Sequence, residues 1–351
     1  MASVSLTVPA VEREQMGAAV QALLDAREVV LACHVNPDGD TLGSMLALAF
    51  ACDHLNKPVT LLSNDGVPDL YGFLPGVRRI RQTTDRRDFD LAVVLDAGDL
   101  TRVGANVRPI VEAAPTLVDI DHHVTAGQFG QVRLLDSTAA ATGEIVYDLL
   151  VALGVPFTLP IAECLLCALL TDTGSFRFMN VTPRTMAIAG ALIERGASPN
   201  TIAECVFENK PFAAQKLLGR ALDSMRRSED GRVVWAHLSR QDFLDLHATD
   251  AMTEGVVSQV RAVQGAEVAV FFREMESGKL RVSLRSRDPI DVSLIAAQFG
   301  GGGHRLASGC SLDGPLEQGE AALIGAVREY LATNYPEPLP TVPGSCEQSE
   351  G

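Results

Sequence analysis

The chain has 351 residues, 47% of them hydrophobic, and a formal net charge of −15. That length suits about two domains with sizeable cores. No run of about 18 or more apolar residues occurs, which argues against a membrane-spanning helix, and the charge argues against a long electrostatic track for duplex nucleic acid.

Met1 to Gln15 shows no basic region followed by an apolar run. The expectation is therefore a cytoplasmic protein with no secretory signal and no membrane partner. From residue 27 onward, strand-like apolar runs alternate with helical ones. REVVLACHV (27–35), PVTLLSN (58–64), DLAVVLDAG (90–98) and PTLVDIDHH (115–123) read as strands, and DTLGSMLALAFACDHLN (40–56) as a helix. Further helices are expected near 138–153, 159–171 and 183–195. This alternation predicts an α/β domain with a parallel sheet and helices on both faces, spanning 1–195. A more polar, helical stretch follows, and 196–230 reads as the connector. A smaller α/β domain with a mixed sheet is then expected at 231–335, with strands at 231–239, 267–274 and 279–287 and helices at 254–263, 291–298 and 317–333. The tail, 336–351, is rich in Pro, Ser and Glu and reads as disordered.

Seven cysteines at irregular spacing give no disulfide framework. Cys164 and Cys167 form a C-x-x-C, but they sit in the apolar helical run IAECLLCALL, so core packing is the expectation.

Four segments carry candidate chemistry, each at the end of an expected element. His34, Asp38 and Asp40 follow the first strand, where ligands bind in open α/β sheets. Asp38 and Asp40 alone read equally as helix caps, but that leaves His34 unexplained. Asp96 ends the strand DLAVVLD, with Asp99 three residues on. Asp121, His122 and His123 end another strand; of the two histidines, His123 is the one expected to be structural. Asp172 closes the helix 159–171, where a carboxylate is electrostatically unfavourable and calls for a cation. Carboxylates mixed with imidazoles suit Mn²⁺ or Mg²⁺ and leave zinc or iron open. Two such ions about 3.5–4 Å apart can drive an in-line phosphoryl displacement, with Asp96 as the carboxylate shared between them. A fifth segment, Phe299 to Arg305, holds four consecutive glycines whose amides can approach an anion closely. His304, Arg305, Arg285 and Arg287 can add charge-assisted contacts there.

HVNPDGDTLGS, VVLDAGD, DIDHH, LLTDTGSFRF and FGGGGHRLASG, in that order over about 25–315, resemble the DHH phosphoesterase superfamily with its DHH-associated C-terminal domain. More closely, they resemble its bacterial branch of nanoRNases and pAp phosphatases, which also includes cyclic-di-AMP phosphodiesterases. The resemblance implies a metal-dependent phosphodiesterase and phosphomonoesterase with two Mn²⁺ per site, Mg²⁺ being the alternative. His34, Asp38 and Asp96 would bind one ion, and Asp40, Asp96, His122 and Asp172 the other. Asp96, His123 and Asp121 would be catalytic, with His123 on the substrate phosphate. Ser44, Arg285, Gly301, Gly302, Gly303 and His304 would bind substrate, in a cleft between the domains. The implied partners are short single-stranded RNA or DNA oligonucleotides, nucleotide phosphates such as 3′-phosphoadenosine 5′-phosphate (pAp), linear or cyclic dinucleotides, and a second copy of the chain in a homodimer. The competing reading within the superfamily is an inorganic pyrophosphatase or polyphosphatase. The glycine-rich segment, in place of a basic cluster, favours nucleotides over phosphate chains.

Overall fold

The computed structural model describes residues 13–123, 127 and 129–340. The expectations for the start of the chain up to residue 12, and for the tail beyond residue 340, lie outside the described residues. The chain divides into two compact units, Met1–Asn209 and Lys210–Gly351.

In the first unit a helix without a counterpart in the sequence expectations, α1 (Arg13–Asp25), precedes a six-stranded sheet. Its strands are β1 (Val29–Cys33), β2 (Val59–Leu62), β3 (Ile80–Arg81), β4 (Leu91–Leu95), β5 (Thr116–Asp121) and β6 (Val132–Leu135). All pair in parallel, in the order β3-β2-β1-β4-β5-β6. β3 and β6 were not among the expected strands. They are short and half-exposed, so neither carries a periodic apolar signal.

Side chains alternate across the strands and feed two cores. Leu31, Val93 and Ile120 point to one face. There they meet α2 (Gly39–His54), then, past the short α3 (Arg108–Val111), α4 (Thr142–Ala152), α5 (Leu159–Asp172) and α6 (Pro183–Glu194). Val30, Ala92 and Val94 point to the other face, which has a thinner cover. It consists of α3, the 3₁₀ turn Leu100–Val103, and Phe89 and Val107. With both faces covered, β1 and β4 are buried at every position, as their unbroken apolar sequences require.

α2 is buried nearly all round, because it lies between the sheet and α5. Gly43 permits this. A Cβ there would collide with the backbone oxygen of Cys164 and crowd the amide of Ala168. Cys164 and Cys167 are buried on α5, as their apolar neighbours suggested, and burial pushes both thiols above their ordinary range.

The stretch 198–230 is not one continuous helical connector. α7 (Pro199–Ala203) runs into a π-helical turn, Glu204–Glu208, and stops. After Pro211, α8 (Phe212–Asp223) begins, and its Leu217 and Ala221 pack into the second unit's core. The last part of the stretch, read from sequence as helical, holds a strand instead: β7 (Arg226–Arg227) pairs with the residues Trp235 and Val234.

The second sheet continues with β8 (Val233–Leu238), β9 (Val268–Glu274), β10 (Lys279–Ser286), β11 (Gly302–His304) and β12 (Ala307–Asp313). Its order is β11-β12-β10-β9-β8-β7 and it is mixed, β8–β9 being its one parallel pair among the described residues. On one face lie α8, α9 (Arg240–Asp245) and α10 (Val256–Arg261); on the other, α11 (Val292–Gln298) and α12 (Leu316–Asn334). Gly302–His304, expected as a loop, is an edge strand paired antiparallel with β12. Pairing with a neighbour overrides the poor strand propensity of glycine.

Gly43→Ala is expected to destabilise the first unit by about 1–3 kcal/mol through overpacking. A lower urea midpoint in its unfolding transition checks this; an unchanged midpoint would show that α2 and α5 can separate freely.

Candidate active site

The strand order reverses between β1 and β4, and such a switch point leaves a crevice beyond the carboxyl ends of the strands. Register decides what fills it. Cys33 pairs with Leu95 and Leu95 with Ile120, so the next residues, His34 and Asp96, emerge side by side. The Asp96 amide also bonds to the Ile120 carbonyl at 2.9 Å, beside the end of β5. Asp96 itself turns into the left-handed region, with φ of 59°, an uncommon conformation for a non-glycine residue.

Three donor groups, each spanning no more than 4.8 Å, share this crevice: His34, Asp38 and Asp96; Asp40, His122 and Asp172; and Asp96, His122 and His123. His34 Nε2 lies 3.6 Å from Asp96 and 3.7 Å from Asp38. His122 Nε2 lies 3.2 Å from Asp172, 3.5 Å from Asp96 and 3.8 Å from Asp40. Asp96 faces both histidines, Oδ2 toward His34 and Oδ1 toward His122.

Backbone carbonyls set the tautomers. A carbonyl only accepts, so His34 Nδ1 must carry the proton donated to Val35 at 2.7 Å, and His122 Nδ1 that donated to Ala139 at 3.2 Å. Each ring therefore turns Nε2 toward the carboxylates, the arrangement typical of a metal-ligating histidine. His123 differs. Its Nδ1, the atom 3.5 Å from Asp96, is bound to Asp121 at 2.7 Å. That nitrogen is occupied, and only Nε2 remains to meet a ligand.

Helix ends hold the carboxylates. Asp38 caps α2, accepting from the amides of Asp40 and Thr41 at 3.1 Å each, and also faces His34. Asp40 is fully buried and accepts from Ser44 Oγ at 3.1 Å, Thr142 N at 2.6 Å and Gly143 N at 2.9 Å. Thr142 Oγ1 also donates to Asp96 at 3.0 Å. The N-terminus of α4 thus grips both buried carboxylates, and neither Thr142 nor Gly143 was singled out in the sequence. A hydroxyl and a glycine amide in the small-residue run STAAATGE carry no mark that separates them from ordinary packing. Asp99 lies outside the cluster and caps the turn Leu100–Val103.

Burial dominates the electrostatics. Together with Asp96 and Asp172 it pushes Asp40 well above the ordinary carboxylate range. It also raises Asp96, against the opposing pull of His34. Burial opposes protonation of His34 and His122, but the surrounding carboxylates, Asp38 and Asp96 for the first and Asp172 and Asp40 for the second, lift each to about 10. The cluster holds more negative charge than its own groups can balance. Oxygen and imidazole donors without a thiolate match a hard or borderline divalent cation, so these residues fit one.

Two of the expected site residues are buried and already hydrogen-bonded. Ser44, read as a substrate contact, is fully buried and is spent on orienting Asp40. Asp121, read as catalytic, is fully buried too. It accepts from His123 and from the Gly98 amide. Burial alone would raise Asp121, but the His123 ring and amide outweigh it and hold the carboxyl below its ordinary range.

In the second unit, Arg285 pairs with Ala307 and Ala307 with His304, which sets Arg285 and His304 in one row across the sheet with a small residue between them. Gly301 and Gly302 line an open recess of about 510 Å³ with Arg273, Arg281, Ser283 and Ser311. Gly303, His304 and Arg285 are not among its lining residues. Arg287 and Arg305, expected near the same anion, are turned to backbone carbonyls: Arg287 donates to Ala266, and Arg305 to Pro289 while pairing with Asp288.

The "DHH family, N-terminal domain" matches residues 28–169 and the "DHHA1 domain" residues 230–333. The bifunctional oligoribonuclease and PAP phosphatase NrnA of Thermus thermophilus is 34% identical over 306 residues, covering 86% of this chain and 90% of that protein. An exopolyphosphatase-related protein from Bacteroides fragilis has a similar structure: TM-score 0.86, 24% identity, 94% of this chain and 98% of that one. RecJ from T. thermophilus, in complex with Mn²⁺, shares the fold at a TM-score of 0.54 and 15% identity, over 94% of this chain and 56% of RecJ.

Thr142→Val removes one hydroxyl and keeps the shape. It is expected to weaken divalent-cation binding by about tenfold or more, measured by calorimetry, with Thr142→Ser near the parent. Equal affinity in all three would show that Asp96 needs no such support.

Proposed function

Since the chain belongs to the DHH family, in the branch of bifunctional oligoribonucleases and PAP phosphatases, we propose that it hydrolyses short oligoribonucleotides and small nucleotide phosphates such as pAp, with linear and cyclic dinucleotides in the same substrate class. One observation carries the proposal: His34, Asp38, Asp40, Asp96, His122 and Asp172, far apart in sequence, meet at the switch point of the parallel sheet.

In this reading residues 1–195 carry the reaction and 231–335 grip the substrate. His34, Asp38 and Asp96 hold one ion, while Asp40, Asp96, His122 and Asp172 hold the second. Mn²⁺, the ion of the RecJ complex, is our assignment, with Mg²⁺ as the substitute. Such a pair supplies an activated water and stabilises the attacking and leaving oxygens. Thr142, Gly143 and Ser44 keep Asp40 and Asp96 turned toward it. Asp121 accepts a hydrogen bond from His123 Nδ1, which leaves Nε2 to face a substrate phosphate oxygen. Arg285, His304 and the glycine segment Gly301, Gly302 and Gly303 bind a further anionic or nucleoside part of the substrate, with the Gly301 amide itself held by Ala296 O. The net charge of −15 favours short substrates, because the reacting phosphate would find its positive charge only at divalent ions held by the cluster. Cysteines that remain free among the described residues agree with a reducing, cytoplasmic setting.

The test is a panel of pAp, pApA, cyclic-di-AMP, RNAs of two to ten nucleotides, a fifty-mer and pyrophosphate, after chelation and with Mn²⁺ or Mg²⁺ restored. Turnover should return with Mn²⁺, fall with RNA length and stay low on pyrophosphate. Asp96→Ala should lower kcat/KM by roughly a thousandfold, the scale of several kcal/mol of transition-state stabilisation. Preference for pyrophosphate would favour the pyrophosphatase reading, and full turnover in Asp96→Ala would overturn the shared carboxylate.

A further inference from the structure

Just beyond Asp172 the backbone does something unusual. Gly174, Ser175 and Phe176 are all left-handed, with φ of 54°, 61° and 61°. For Ser and Phe this conformation is costly, and the surrounding contacts hold it in place. Thr173 O accepts the amides of both Arg177 and Phe178, at 2.9 and 3.0 Å, and Arg177 Nε donates to Gly174 O at 2.6 Å. Asn180 Nδ2 closes the turn by donating to Asp172 O at 3.1 Å and to Ala140 O at 3.0 Å. Asp172 belongs to the cluster, and Ala140 adjoins the carbonyl that fixes His122. The turn is therefore tied directly to two walls of the site.

Beside the exposed Arg177 and Asn180, this turn presents two apolar side chains to solvent. Met179 is 92% exposed and Phe178 50% exposed. The Phe178 ring has a defined seat: it lies against Gly174, where a Cβ would drive into the ring. A ring pinned on one face, open on the other and placed at the rim of a phosphoester site is preorganised for stacking. Two side chains are too few for a protein interface, which needs about 800 Å² from each partner, but they match the area of one base.

We propose that Phe178 and Met179 form a shelf on which a nucleobase of the substrate stacks, so that the chain prefers phosphoesters carrying a base over those lacking one. The proposal rests on the function proposed above and extends it. Aromatic stacking tolerates any base, because every base has a π-face. The shelf accordingly selects nucleotides without selecting sequence.

Two measurements on the full chain test it. The first compares pApA with an analogue abasic at the stacking nucleotide. In Phe178→Ala the ratio of kcat/KM for pApA over the analogue is expected to fall about tenfold; an equal loss on both, or no loss, overturns the shelf. The second does not depend on hydrolysis. Phe178→Trp is made together with Trp235→Phe, which removes the one native tryptophan. AMP should quench the introduced indole saturably, and ribose 5-phosphate should not. Quenching that is absent, or equal for both, also overturns the shelf. A chain that hydrolyses neither ester but shows base-dependent quenching would refute the reaction and keep the shelf.

Discussion

Repulsion among four carboxylates in one crevice governs this molecule. Two unit charges about 4 Å apart interact by about 4 kcal/mol at an effective dielectric constant near 20. A hydrogen bond to a charged group returns about 1.5–3 kcal/mol. Asp40 accepts three hydrogen bonds. They can offset one like-charged neighbour but not both Asp96 and Asp172 together with the loss of hydration. The deficit identifies the site better than any single motif does, because Asp40 and Asp96 are both pushed upward despite the neighbouring imidazoles, and further positive charge favours their ionised form.

The fold supplies that crowding through topology and register. A parallel sheet whose order reverses between β1 and β4 opens a gap at the carboxyl edge, and the in-register pairs Cys33–Leu95 and Leu95–Ile120 bring His34, Asp96 and the end of β5 to one level. A shift of one residue in either pairing would turn a charged side chain into one of the two hydrophobic cores. The apolar strands thus do more than fill space: they set the spacing between ligand atoms.

Much of this could be read from the chain. An apolar run that ends in His or Asp declares both a buried strand and the edge where polar groups emerge, so His34, Asp96 and His122 stood out, and Asp172 did so as a carboxylate at an unfavourable helix C-terminus. What escaped notice had little signal of its own. Thr142 and Gly143 act through a hydroxyl and amides, and amides are present at every non-proline position. Ser44 looked available because exposure cannot be judged without knowing that α5 lies over α2. Gly302–His304 and Arg226–Arg227 are strands only because β12 and β8 pair with them; their own composition says loop or helix. Local chemistry was legible, whereas roles created by a neighbouring element were not.

The near-contact of α2 and α5 at Gly43 has a mechanical side. The helices run antiparallel there, with Gly39 beside Thr171 and Gly43 beside Cys164 and Ala168. Asp40 and Asp172 ride at adjoining ends of what is in effect a single stiff body. Their separation is therefore a fixed gauge. Were the cluster to hold ions of different radius, the accommodation would fall to the turns bearing His34 and His122, and tuning of ionic-size tolerance would have to begin there.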